Sequence, residues 1–187
     1  NVSTGIDDRR GTLLLDPKNI TIASSGGSGN GAFSLDSIIG YGYTSSTATG
    51  INQDLGSSDY FGVAVSLDGN RLAVGARYGD GSSNNRSNSG EVYLYTFTDS
   101  SFNGAALAAT IGYGYSGGKN INQSSLGTSD YFGSGISLDG NRLAVGAPYG
   151  DGSSNNRSSS GDVYLYTFTD SVFSGGELAG TIGYGYS

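Results

Sequence analysis

Cys, His, Met and Trp are all missing from this 187-residue chain, and Pro occurs only twice. Without Cys there is no disulfide framework, no thiolate nucleophile and no Cys-based zinc site. Without His the usual general base at neutral pH is gone, and with it the Ser-His-Asp and imidazole-metal constellations. Basic residues are also scarce, nine against sixteen acidic, for a net charge of −7. Apart from Arg9-Arg10 they are scattered singly, so no basic patch is present to receive nucleic acid or an anionic membrane. No apolar run approaches the ~20 residues of a membrane helix, and membrane insertion is not expected. A chain that begins at Asn1 without an initiator Met is expected to be a processed or excised piece. These absences together argue against an enzyme. An acidic, Cys-free chain rich in Gly, Ser, Thr and Asn suits a bacterial exported surface protein.

Repetition is what the chain has in abundance. "SLDGNRLAVGA" stands at Ser66 to Ala76 and again, letter for letter, at Ser137 to Ala147. The match extends both ways, from "INQ" at Ile51 and Ile121 to "TIGYGYS" ending at Ser116 and Ser187. A further "IIGYGYT" at Ile38 to Thr44 precedes the first unit, so the closing strand of a repeat occurs three times. Repeats of this kind are supersecondary units that bury their faces against one another. The organisation expected is an N-terminal β segment with a Gly/Ser-rich joint at 1–36, repeat 1 with its preceding IGYGY strand at 37–112, and repeat 2 at 113–187.

Each unit divides into four runs of strand length. In "FGVAVSL", Phe61, Val63, Val65 and Leu67 alternate with Gly62, Ala64 and Ser66. Asp68-Gly69-Asn70 reads as a tight hairpin turn, and "RLAVGA" returns. "EVYLYTF" is apolar on both faces, with Val92 and Leu94 against Tyr93, Tyr95 and Phe97. "LAATIGYGY" places Ile111, Tyr113 and Tyr115 opposite Gly112 and Gly114. No helix signal is present, and the 34 glycines oppose one. The pattern predicts an all-β chain of tandem four-stranded antiparallel, blade-like repeats of about 71 residues. Two such blades are too few to close a ring of the usual four to eight. A Gly-rich β-solenoid is the alternative, but its coils would show a shorter period.

"DYFGVAVSLDGNRLAVGARYGDG" and "DYFGSGISLDGNRLAVGAPYGDG" resemble the FG-GAP repeat, the blade unit of integrin-α-type β-propellers. The matching positions are Phe61-Gly62 with Gly75-Ala76-Arg77, and Phe132-Gly133 with Gly146-Ala147-Pro148; Arg77 stands where the pattern has Pro. Blades of that family often carry a calcium loop between their first two strands. Here that connection is only "LDGN", too short to cage an ion. "GTLLLDPKNITIAS", Gly11 to Ser24, resembles a segment of filamentous-haemagglutinin-type exoproteins exported by two-partner secretion. This second resemblance implies a large secreted bacterial surface protein, with "SSGGSGNGA" as a flexible joint.

Two sets of residues are candidate sites. Asp80, Ser82, Asn84 and Glu91 have roughly the spacing of a twelve-residue calcium loop, and the second copy offers Asp151, Ser153, Asn155 and Asp162. The sixth position, however, is Asn85 or Asn156 instead of Gly, and each loop has only two formal charges. The competing reading is an Asn/Ser-rich turn held by its own backbone hydrogen bonds. Tyr41 and Tyr43, Tyr113 and Tyr115, and Tyr184 and Tyr186 could stack on a glycan; the competing reading is packing between blades. Asp59 and Asp130, just ahead of the Phe-Gly pairs, read as turn caps. Two functions follow. One is a non-catalytic extracellular repeat segment of an adhesin or fibre, partnered by copies of itself or by further repeats. The other is a module that binds glycan or a host surface protein, with calcium as its conceivable cofactor.

Overall fold

The computed structural model describes residues 37–43 and 49–187. The Gly11 to Ser24 stretch and the Gly/Ser-rich joint lie outside the described residues. Eleven strands and no helix make up the described part. A short parallel pair comes first: β1 (Ser37–Gly40) and β2 (Thr49–Asn52). Blade 1 follows as β3 (Phe61–Asp68), β4 (Arg71–Ala76), β5 (Glu91–Thr96) and β6 (Ala106–Gly112), an antiparallel meander. β7 (Ile121–Asn122) adds to it in parallel, as a fifth strand beside β6. Blade 2 repeats the meander with β8 (Gly135–Asp139), β9 (Arg142–Ala147), β10 (Asp162–Thr167) and β11 (Glu177–Gly183).

The turn after Asp68 is a two-residue hairpin loop, because Asp68 pairs directly with Arg71. Gly69 supplies the positive φ it needs, 55°. The Phe-Gly pair marks a β-bulge, where the register jumps between Phe61 and Ala64. Gly62 and Gly133 carry φ of 88° and 86° there, which only glycine adopts without strain.

Alternation along the strands gives each blade two apolar faces. The leading face of blade 1 presents Phe61, Leu72, Val74, Tyr93 and Tyr95. Its trailing face presents Ala73, Val92, Leu94, Ala109 and Ile111. The trailing face of blade 1 packs on the leading face of blade 2, where Phe132, Leu143, Val145, Tyr164 and Tyr166 are buried, and this contact is the main core. Each such side chain taken fully out of water contributes about 1.5–3 kcal/mol. That is why "EVYLYTF" has no polar side.

The fourth run differs from its sequence reading. The strand begins at Ala106 and ends at Gly112, and Gly114 turns the chain at a φ of 77°. Alternation therefore stops before Tyr113. The ring of Tyr115 folds back over Gly112, on the face opposite Ile111. A run of alternating Gly and Tyr mimics a strand in sequence, while Gly favours the turn that breaks it.

Candidate functional site

The polar loops lie between the second and third strands of each blade. In blade 1 the loop closes on itself. Asp80 accepts the Arg86 amide at its carbonyl (2.8 Å) and the Asn88 amide at its carboxylate (2.7 Å). Glu91, at the far end, accepts the Gly81 amide at 2.9 Å and the Tyr93 hydroxyl. Asn84 and Asn88 adopt left-handed φ of 52° and 53°, which Asx side chains tolerate. Blade 2 repeats the arrangement: Asp151 accepts the amides of Arg157 (3.0 Å) and Ser159 (2.8 Å), and Asp162 accepts that of Gly152 at 3.4 Å. Asn155 repeats the left-handed turn at a φ of 49°. Ser82 and Ser153 donate their amides to the carbonyls of Tyr113 and Tyr184, both at 3.0 Å, tying each loop to the glycine-tyrosine turn. Among the described residues, no three acidic side chains gather as a metal-ligand group.

Burial dominates the electrostatics of this end of the blade. Glu91 is almost wholly inside, and desolvation holds its carboxyl above its ordinary value; the hydrogen bond from Tyr93 works the other way. The same burial pushes the hydroxyls of Tyr93 and Tyr115 far up. Asp59 and Asp130 sit where the sequence put them as caps, accepting the Gly56 and Gly127 amides, each at 2.7 Å.

The six candidate tyrosines divide. Tyr41, Tyr43 and Tyr184 are well exposed, whereas Tyr113, Tyr115 and Tyr186 are half-buried. Arg86 lies over the ring of Tyr113 at 4.0 Å and Arg157 over Tyr184 at 4.7 Å, so a guanidinium already covers one face of each.

Two features escaped the sequence reading. Gln53 and Gln123, in the "INQ" word, are buried and accept the hydroxyls of Tyr95 and Tyr166, both at 2.7 Å. The recurrence of a Gln ahead of each blade was the available signal. The other is a ladder of edge-to-face tyrosines along one rim. Tyr60, Tyr78, Tyr131 and Tyr149 follow one another at centroid distances of 4.7, 5.1 and 5.0 Å. Beside its last rung is a polar cleft of about 300 Å³ lined by Ser129, Tyr131, Tyr149, Asp151 and Ser159.

Of the faces that meet inside the molecule, the trailing one is open on blade 2, and the leading one is covered only in part on blade 1, where Val74, Tyr93 and Tyr95 are buried beside Ile39 of β1. Leu138, on the covered leading face, is 6% exposed, while its counterpart Leu67 is 52% exposed. Ile111, on the covered trailing face, is 0% exposed, while Ile182 is 62% exposed.

Antiparallel four-stranded blades stacked front to back, with the ring unclosed, define a β-propeller-like repeat module. The FG-GAP repeat model matches residues 46–95 and again residues 123–166, half of the chain, and the chain belongs to the FG-GAP repeat family. No curated protein matches it significantly.

Proposed function

We propose that this chain is a non-catalytic, extracellular repeat segment of a bacterial surface adhesin or fibre, whose work is reach, rigidity and self-association. The observation that carries the reading is the stack itself. Two nearly identical blades meet trailing face to leading face, the trailing face of blade 2 is open, and the leading face of blade 1 is covered only in part. Repeats of this family are typically non-catalytic, and the resemblance of Gly11 to Ser24 to secreted exoproteins supports the cell-surface setting. Light scattering with and without EDTA, followed by negative-stain imaging, tests it. The expected result is a discrete or fibrous assembly. A monomer at every concentration refutes the self-association, and an assembly lost in EDTA returns calcium to the Asp80 and Asp151 loops.

A second reading, a module that binds glycan or a host protein, is favoured by the exposed rings of Tyr41 and Tyr43 and by the tyrosine-lined polar cleft beside Asp151. A glycan-binding screen of the full chain tests it, with Tyr149→Ala as the control that should lose any hit.

A further inference from the structure

We infer that a second copy of this chain docks head to tail, its Ser58 to Leu67 segment on the trailing face of blade 2, and that β1 is a stand-in strand that must give way for it. The inference rests on the self-association reading above and specifies its register. The template is the junction already present inside the molecule. There, the amides of Ser129, Tyr131 and Phe132 donate to the carbonyls of Ser87, Asn88 and Ser89 at 2.9, 3.2 and 3.0 Å. Leu138 donates its amide to Ser66 Oγ (2.9 Å), and Gly140 to Asp68 Oδ2 (3.0 Å).

Apart from Phe61, which is half-buried, the partners in that junction have exposed counterparts at the ends. On blade 2 the equivalents of Ser87, Asn88 and Ser89 are Ser158, Ser159 and Ser160, all exposed. Asp139 and Arg142 form the same ion pair as Asp68 and Arg71, but the Arg142 side chain is 75% exposed where that of Arg71 is 9% exposed. On blade 1 the docking segment is already shaped. Ser58, Tyr60 and Gly62 hold φ of 71°, 54° and 88°, against 64°, 56° and 86° for Ser129, Tyr131 and Gly133. Left-handed φ at Ser and Tyr is costly, so a segment held in that conformation before docking spares the junction the cost of ordering it. Such a contact also sets Tyr60 of one copy on Tyr149 of the other, as Tyr131 sits on Tyr78, and the ladder continues. The contact is heterologous, so it gives a ring if it closes and a filament if it does not.

One slot is contested. β1 packs Ile39 on the leading face of blade 1, as Ile111 of β6 packs on the leading face of blade 2. β2 runs parallel to β1 with Ile51 beside Ile39, as β7 runs beside β6 with Ile121 next to Ile111. β1 thus occupies the place that β11 of a docking copy requires. It covers only part of the face, leaving an apolar cleft of about 530 Å³ lined by Ile39, Phe61, Val65, Leu67, Leu72 and Val74 among others. On docking, β2 exchanges its four paired positions with β1 for two with β11, as β7 makes two with β6, and the exchange is offset by the whole blade face that then covers Val65 and Leu67, 62% and 52% exposed without it.

The test uses the full chain, which has no Cys of its own. Leu67→Cys and Ser137→Cys occupy the positions equivalent to Leu138 and Ser66. Under mild oxidation the mixture of the two variants is expected to form a disulfide dimer, and neither variant alone. Gly146→Ala in the Ser137→Cys chain should abolish the dimer without lowering the melting temperature: a Cβ at Gly75 would run into the Gly133 carbonyl across the internal junction, whereas at Gly146 it is unobstructed. Ile39→Asp in the Leu67→Cys chain should raise the dimer yield several-fold; a lower yield overturns the role of β1. Dimer from one variant alone means a face-to-face contact and overturns the inference. So does an assembly seen by light scattering with no cross-link in the mixture, although self-association then survives. A monomer without cross-link overturns both.

Discussion

The same one-atom addition at two equivalent glycines should have opposite effects. Gly75 and Gly146 occupy the same position of "RLAVGA", one in each blade. A Cβ at Gly75 would sit 2.0 Å from the carbonyl oxygen of Gly133, where ordinary contact is 3.4–4 Å, so the junction must open by more than an ångström. The obstacle is backbone, tethered by the Gly133 amide to Gly146 at 3.1 Å, and cannot swing aside as a flexible side chain would. Overpacking typically costs about 1–3 kcal/mol, and this geometry places it near the top of that range. Replacing Gly by Ala within a strand returns roughly 0.5–1 kcal/mol, leaving a net loss of about 2 kcal/mol. At a chain length of 150–250 residues this lowers the melting temperature by about 4–8 °C. At Gly146 the nearest atoms are 3.9 Å away, so only the gain remains, a rise of about 1–4 °C. Thermal melts of the two variants in dilute solution, followed by circular dichroism, are the assay. Equal shifts would refute the front-to-back stacking from which the difference is derived.

Glu91 is held above its ordinary value by burial, so the folded chain binds that proton more tightly than the unfolded one. Its contribution to stability is fullest below pH 4.5 and fades as pH rises through the folded value; the melting temperature should climb as pH is lowered through that value towards 4.5, and Glu91→Gln should flatten the climb. Asp59, Asp130 and Asp162 are raised in the same direction and leave a residual slope. Tyr166→Phe strands the buried Gln123 acceptor and should cost about 1–2 kcal/mol in urea unfolding, part of which Gln123→Leu restores in the double variant. Arg71→Ala removes a mostly buried partner of Asp68 that also lies 5.6 Å over the Phe173 ring, for a loss of about 2 kcal/mol. Arg142→Ala, fully equivalent in sequence, should stay within about 0.5 kcal/mol.

The four-run meander, the Asp-Gly-Asn hairpin and the two-faced third strand were legible because period-two alternation and turn chemistry are local. The limit of β6 was not, since Gly112 and Gly114 satisfy a strand pattern as well as a turn. The parallel strands β2 and β7 were illegible because a run as short as "IN" carries no periodicity; only the third dimension puts it beside "TIG". The calcium-like spacing of Asp80 to Glu91 was visible, but which acceptors the loop's own amides engage depends on where Arg86 and Asn88 turn back. The tyrosine ladder joins residues 18 and 53 positions apart in the chain, which no spacing rule connects.

Identical words in neighbouring blades pose a sorting problem during folding. β4 and β9 are the same six residues, so β3 could pair with β9 and make the same hydrogen bonds as with β4. Side chains cannot tell the two apart. What separates them is the length of chain to be closed: two residues for the hairpin after Asp68, against about 71 more for the crossed pairing. By the logarithmic closure law that difference is worth about 3 kcal/mol. The Gly69-Asn70 turn is therefore the chief guard against swapped blades, and any insertion that lengthens it should lower the stability of the native chain and raise the yield of misassembled chain together.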